Sequence, residues 1–400
     1  MFSAAQDFIK KRAQMDVFVV AGGGQWALEY AKALHWFIAQ KQVAAIFVYK
    51  SDYGIGTPGY HRYLERTIRN MIEAERLGAL CIDLSRLTKS ERYGLPALIQ
   101  PLAVFVVTPP ETHCENALQW APHAKHVLIE KPFDTSTKAV QKLREQLGTD
   151  GSKRVFGYDH YAARLKPFLA EDKLEKLKLG RRCKFVFEMF EAAPRGLEER
   201  APSLARTGML FDMASHALPV LSWLIEDFGE LAAPNLYELY VSTLCSPTTG
   251  EAYIASETFA RLTFEFKPRT SLGTGDVTAE IRVGKGIGVT DSKLVTLGDE
   301  EQQDAVYLDQ LFMLARLREA VKPIHERVIH RLVQDVRSND LQNSDGVFDL
   351  DLGETIVKVL QRWTSKLDKH VKTNKLPTYH QGMECEKIWS DEKHRYRLEP

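Results

Sequence analysis

The sequence predicts an α/β fold in two parts. The first is an N-terminal doubly wound parallel sheet. The second is a C-terminal α/β domain with a large, mostly antiparallel open sheet. Three observations lead there. Up to about residue 153, short apolar runs (DVFVV, VAAIFVY, LAVFVV, HVLIE) alternate with helical stretches, the texture of βαβ units around a sheet buried on both faces. Beyond that point RCKFVFEMFEA, ETFARLTFEFKP and TAEIRVGKGIGVTDSKLVTL alternate polar with apolar residues, as strands with one covered face do. Finally, 400 residues exceed what one core usually holds, so two domains are expected, 1–153 and 154–400.

The elements follow in order. MFSAAQDFIKKRAQM reads as a short amphipathic helix, without an apolar segment of signal-peptide length. Val17–Val20 is the first strand, followed by glycines and a helix rich in Ala and Leu. VAAIFVYKSD is a second buried strand, and LAVFVVTPPETHCENALQWAPHAKHVLIEKPF gives strand, loop, helix, strand. Thr135–Gly148 is a helix with a glycine stop. In the second part, helices are expected over 202–227, 306–321 and 351–367.

Composition narrows the function. Basic and acidic residues balance at 53 each, with no charge run, so nucleic-acid and membrane surfaces have no electrostatic footprint. The five cysteines (Cys81, Cys114, Cys183, Cys245, Cys385) form no CxxC pair, which argues against a zinc site or a disulfide framework. No metal is expected. A reducing, cytoplasmic compartment is the simplest expectation. No run approaches transmembrane length.

VFVVAGGGQWA holds Gly22-x-Gly24-x-x-Ala27 between a strand and a helix. Glycines there let the backbone approach a pyrophosphate, and the helix start offers free N–H groups and a positive dipole end. This is the Rossmann fingerprint in its proper context, with Gln25 and Trp26 opening the helix. The end of the second strand should read the adenosine ribose. Lys50 and Ser51 come first there and favour NADP, while Asp52 can still serve the ribose hydroxyls of NAD.

HVLIEKPF places Glu130, Lys131 and Pro132 just past a core strand, at the sheet edge where ligands bind. Alone, these are a surface ion pair. Together with Thr108, Pro109 and His113 upstream, and with Gly208, Asp212 and His216 in TGMLFDMASHALPVLSWL, the arrangement resembles the glucose–fructose oxidoreductase and inositol dehydrogenase family (Gfo/Idh/MocA). The resemblance spans about residues 15–370. GYDHYAARLKP is in part similar to glucose-6-phosphate dehydrogenase, with Asp159, His160 and Tyr161 matching and Arg164 where that enzyme has lysine. The shorter chain and the spacing of Asp212 and His216 follow the first family instead.

The resemblance implies an NAD(P)-dependent oxidoreductase moving a hydride between nicotinamide and a hydroxyl of a sugar, cyclitol or sugar phosphate. Gly22, Gly24, Gln25, Trp26, Lys50, Ser51, Thr108, Pro109, His113, Glu130 and Lys131 would form the cofactor site. His216 is the candidate base, since imidazole titrates near neutral pH. Asp212, one turn before it, or Asp159 would orient it. Lys131 would hold the substrate hydroxyl and stabilise alkoxide character. Tyr158, His160, Tyr161 and Arg164 would bind substrate or its phosphate, alongside Asp212 and His216. Arg195, Arg200 and Arg206 lie in a loop that is either a lid or a plain connection. Trp120, Trp223 and Trp363 read as packing, and Trp26 does so besides its place in the cofactor site. A homo-oligomer, dimer or tetramer, is expected. Two other readings share the fold: a nucleotide-sensing regulator and a redox-neutral glycosidase that retains its NAD.

Overall fold

The computed structural model describes residues 2–56, 60–166, 183–191, 210–225, 227–231, 235–245, 252–266, 277–285, 292–299, 303–307, 324–374 and 378–380. The chain divides into two compact units, Met1–Pro167 with Leu314–Lys358, and Phe168–Met313 with Val359–Pro400. The first unit is therefore larger than the segment 1–153. The reason lies in its sheet, which keeps adding strands beyond that point.

That sheet has seven strands: β1 (Asp16–Ala21), β2 (Val43–Tyr49), β3 (Leu80–Asp83), β4 (Ala103–Val106), β5 (His126–Glu130), β6 (Val155–Tyr158) and β13 (Val347–Asp349). Their order is β13-β6-β5-β4-β1-β2-β3, all parallel except β13, which runs antiparallel on β6. Order reverses at β1, which lies between β2 and β4. The crevice of a doubly wound sheet opens at such a switch, outside the carboxyl ends of the strands.

Strand residues alternate between two cores. Val19, Ile46, Val104, Val127 and Ile129 share one core with α1 (Phe2–Lys10), α4 (Lys89–Ile99), α5 (His113–Trp120) and α6 (Thr137–Ser152). Phe18, Phe47, Phe105 and Leu128 face the other, with α2 (Gln25–Ala39), α3 (Tyr60–Arg76) and α9 (Ile324–Ser338). Helix α2 forms because Ala27, Tyr30, Ala31, Leu34 and Phe37 recur at helical spacing and are all buried. Thr88 and Glu91 form a capping box at the start of α4. Pro96 within α4 has no N–H for the Arg92 carbonyl; the Gln119 side-chain amide donates to that carbonyl instead, at 3.1 Å. In α6, Gly148 adopts φ 63° and interrupts the helix where the sequence places its stop.

The second unit carries another seven-stranded sheet, of β7 (Cys183–Glu191), β8 (Asn235–Cys245), β9 (Ala252–Phe266), β10 (Val277–Lys285), β11 (Ser292–Asp299), β12 (Gln303–Tyr307) and β14 (Thr378–His380). The order is β12-β11-β7-β10-β9-β8-β14, antiparallel except for β7 with β10 and β8 with β14. Phe185, Phe187, Leu262, Phe264 and Ile281 are buried on one face. On β10, Glu280 is buried as well, and accepts from Arg261, Arg282 (2.7 Å) and Lys184 (2.9 Å). Burial works to raise this carboxyl, but the hydrogen bonds from Arg282 and Lys184 outweigh it and bring it down to about 2.

Two helix expectations change. The stretch expected as one helix over 202–227 is helical at 210–213, makes a 3-10 turn at Ala214–His216, and restarts as α8 (Ala217–Leu224). Pro219 explains the break, because its ring is incompatible with a regular helix through the carbonyl of Ser215. Val306 and Tyr307, expected to begin a helix, lie in β12 against Val295 and Leu294, and the rest of that expected helix, 308–321, lies outside the described residues. A last helix, α10 (Leu350–Asn374), covers the expected 351–367. Among the described residues no helix is long and apolar enough to cross a membrane.

Candidate functional site

The glycine turn stands at the carboxyl end of β1. Gly22 has φ +143°, and a Cβ there would meet the Val107 carbonyl oxygen at 2.6 Å, so only glycine fits. Its N–H donates to Val48 O. A Cβ on Gly23 would lie 2.4 Å from the Thr67 methyl, and Asn70 donates to Gly23 O at 3.1 Å. Helix α3 thus presses on the turn from one side. Gly24 differs: a Cβ there would have nothing within 4 Å, and the residue caps α2 without a side-chain bond. The open space therefore sits where the first turn of α2 presents its N–H groups, and a dinucleotide phosphate fits this cradle. Of the residues opening α2, Gln25 bonds Glu29 and Trp26 packs its ring on His160 at 4.2 Å.

At the end of β2, Lys50 and Asp52 are exposed. Ser51 is held by Asp83 of β3, whose carboxylate accepts its N–H at 3.2 Å, and by the Ser85 hydroxyl at 2.7 Å. The same carboxylate accepts from Ser85 N and Oγ, and Arg86 lies 3.4 Å away. Burial works to raise Asp83, yet these hydrogen bonds prevail and hold it below the usual carboxylate range.

The loops after β4 and β5 are tied together by His113. Its Nε2 lies 2.6 Å from Thr108 O and its Nδ1 2.9 Å from Pro132 O, with the ring buried. Burial lowers the pKa of this imidazole, against the opposing pull of Asp134. Asp134 accepts from Cys114 N, Thr135 N and Ser136 N, anchoring the same loop to α5. Thr108 Oγ1 accepts from Thr112, and Pro109 O does likewise. The Lys131–Pro132 peptide is cis, and Phe133 packs on Gly353, where a Cβ would have no room. Lys131, half-buried, stands at the centre of this network.

Glu130, expected in the cofactor site, turns instead into the core. It is 5 % exposed, and Tyr30 donates to its Oε1 at 2.8 Å. Burial raises its pKa to about 7, although the Tyr30 bond works the other way. Next to it are the residues expected to bind substrate. Tyr158, His160, Tyr161 and Arg164 are all buried within the first unit. His160 packs against Trp26 and Tyr161, and Arg164 reaches His325 of α9 and lies over the Tyr161 ring. Asp159 is fully buried and caps α7 (His160–Leu165), accepting from Tyr161 N and Ala162 N at 2.8 and 2.7 Å.

In the second unit, His216 is buried at the junction of the 3-10 turn and α8, and Asp212 is half-buried four residues earlier. The Ser215 hydroxyl donates to Asp212 O. Gly208, Arg195, Arg200 and Arg206 lie outside the described residues. Among the described residues no cluster of His, Cys, Asp and Glu is placed to hold a metal ion.

Sequence reasoning missed Gly23, Tyr30, Asp83 and Asp134. Tyr30 looks like any core residue of α2, because its hydroxyl's partner is a hundred residues away. Asp134 carried a readable signal, since Asp before Thr-Ser at a helix start is a local capping pattern.

A doubly wound sheet with an open glycine turn, and a lysine at a neighbouring strand end, has the architecture of the Rossmann-type folds. Comparison with known proteins agrees. Residues 69–157 match the model of a family described as oxidoreductases with an NAD-binding Rossmann fold, Gfo/Idh/MocA. No curated protein matches by sequence. Among solved structures, the chain is similar to a myo-inositol dehydrogenase from Corynebacterium glutamicum (13 % identity, 88 % of this chain and 96 % of that one, TM-score 0.54). It is similar to the WlbA dehydrogenase from Chromobacterium violaceum in complex with NADH and UDP-GlcNAcA (16 %, 89 % and 94 %, TM-score 0.56). A third is scyllo-inositol dehydrogenase from Lactobacillus casei with NAD(H) and scyllo-inositol (13 %, 88 % and 98 %, TM-score 0.54). The chain thus resembles the Gfo/Idh/MocA oxidoreductases in sequence over one segment and in fold over most of its length.

Proposed function

We propose that the chain is an NAD(P)-dependent oxidoreductase that moves a hydride between nicotinamide and a hydroxyl of a sugar, cyclitol or sugar phosphate. The observation that carries this reading is the open cradle at Gly24 beside a loop network that presents Lys131 at the same edge of the sheet. Gly22, Gly24 and the first turn of α2 would hold the pyrophosphate, and Thr108, Pro109 and Lys131 would line the nicotinamide end. Bound nicotinamide supplies the hydride chemistry. Lys131 orients the substrate hydroxyl and stabilises negative charge on its oxygen. His216 takes the hydroxyl proton. Asp212 orients His216 in our assignment, because the Asp159 carboxylate is engaged in capping α7.

NADP is our preferred cofactor. Lys50 is exposed at the end of β2, Arg86 is exposed beside Ser85, and the nearby Asp83 is engaged with Ser51 and Ser85. The solved relatives with nucleotide carry NADH or NAD(H), which keeps NAD as the competing choice. Titration calorimetry with NADP and NAD tests it, Lys50→Glu reversing the preference if the assignment is right. Progress curves at the nicotinamide absorbance, over a panel of sugars, cyclitols and sugar phosphates, test the substrate class. Nucleotide binding with no turnover of any member would favour a nucleotide-sensing regulator. Bound nucleotide that copurifies and is never consumed while a glycoside is cleaved would favour the redox-neutral glycosidase.

A further inference from the structure

We propose that Glu130 is a positioning residue for Lys131: bound to Tyr30 by one carboxyl oxygen and facing His160 with the other, it fixes the end of β5 against α2. The inference rests on the assignment of Lys131 made above and names a partner for it inside the fold. Strand alternation puts Glu130 on the face of Leu128, towards α2, in the core that also holds Phe105 and Tyr158. Tyr30 holds Oε1 at 2.8 Å. Oε2 is buried and lies 3.9 Å from His160 Nδ1, and the Lys131 backbone N–H also acts on the carboxyl.

A buried carboxyl is costly, and packing alone would be better served by an apolar side chain. What the carboxyl does is join two elements. Tyr30 links it directly to α2, and His160 links it to the first turn of α2 through the Trp26 ring. On the far side of Lys131, His113 holds Pro132 O. Lys131 is therefore gripped through both neighbours, one grip running to the nucleotide helix and the other to the loop after β4. The ionisable groups facing the carboxyl are Tyr30 of α2, Tyr158 at the end of β6, Asp159, His160 of α7 and Lys131 itself, with Arg164 and His325 of α9 beyond Tyr158 and His160. Because burial brings Glu130 to about 7, its charge changes near neutrality and gives the test a pH signature.

The experiment uses the full chain with Glu130→Gln, which keeps the size and the acceptor for Tyr30, and Tyr30→Phe, beside Lys131→Met. Nucleotide affinity, the emission of bound NADPH, and kcat against pH are measured. Both variants should bind nucleotide within about threefold of wild type and lose roughly 10- to 100-fold in kcat, the scale of a small misplacement of a reacting group. The emission of bound NADPH should change with pH near 7 in wild type, lose that inflection in Glu130→Gln and show it at higher pH in Tyr30→Phe, while kcat keeps the inflection that His216 gives it as general base. A kcat for Glu130→Gln within about twofold of wild type, with the inflection in the emission of bound NADPH kept, overturns the proposal. If wild type binds NADPH but turns over nothing, the reading of the reaction falls and the emission decides. A change shared by Glu130→Gln and Lys131→Met supports positioning; an emission unchanged in Glu130→Gln overturns it. Absence of nucleotide binding overturns both.

Discussion

Two adjacent glycines separate folding from binding at the level of single residues. Gly23 is pinned between Thr67 and Tyr49, so an added methyl must displace packed groups. Gly23→Ala should cost roughly 1–3 kcal/mol of stability, the usual range for overpacking, as read by chemical denaturation. Gly24 has φ −74° and open space beside it, so Gly24→Ala should leave stability within about 0.5 kcal/mol of wild type. Its methyl would occupy the approach of the pyrophosphate, and calorimetry should show nucleotide affinity falling about tenfold or more, that is by about 1.4 kcal/mol or more. Equal effects of the two substitutions would contradict the reading of the turn. Glu130 gives a pH-dependent counterpart. Its folded pKa, about 7, is above the ordinary 4.5, so the folded state binds more protons than the unfolded one between those values. Stability contributed by this group is present below about 4.5 and is lost as pH rises through 7, by roughly 3 kcal/mol at about 1.36 kcal/mol per unit. Glu130→Gln should therefore gain stability relative to wild type at about pH 8 and not at about pH 4.

Individual elements show what the sequence discloses and what it hides. Four strands of the first unit, β1, β2, β4 and β5, were legible because each is a short apolar run between turn residues, and the glycine turn because it stands between a strand and a helix; β3, β6 and β13, of three or four residues each, are too short to stand out and were not read. The break at Pro219 and the strand at Val306 were not. Pro219 sits inside an otherwise helical apolar pattern that masks it, and Val306–Tyr307 gain strand character only by pairing with β11. The site was legible where chemistry is local, as in Lys131 and Gly22. It was hidden where a partner is distant, as with Tyr30 and Glu130 or Asp83 and Ser51. The charged cluster on β7, β9 and β10 belongs to this scale too. Glu280→Ala would leave Arg261, Arg282 and Lys184 without their common acceptor, and a loss of about 1.5–3 kcal/mol is expected, the scale of hydrogen bonds to a charged group, because these cations keep partial access to water and Arg282 keeps Glu188. Because the Glu280 carboxyl sits near 2, below its ordinary 4.5, its contribution should persist above pH 4.5 and disappear as pH falls towards 2. Urea melts at about pH 7 and about pH 3 would show the variant and wild type converging.

At the scale of the whole chain, the two units divide the proposed chemistry. The first holds the nucleotide cradle and Lys131, and the second holds His216 and Asp212. Substitutions in the two should therefore separate kinetically. His216→Ala should leave nucleotide affinity near wild type and lower kcat by about 10²- to 10⁴-fold, the usual contribution of a general base. The mostly antiparallel sheet of the second unit is also our proposed surface for a homo-oligomer, which sedimentation velocity would reveal as a dimer or tetramer. The most direct test of the central claim is the rate of nicotinamide oxidation or reduction by wild type beside Lys131→Met, using the best member of the substrate panel. Turnover by wild type, with the variant down roughly 10²- to 10³-fold at saturating nucleotide, is the predicted result. Equal rates in the two proteins would contradict the account, because the lysine at the end of β5 would then have no part in hydride transfer.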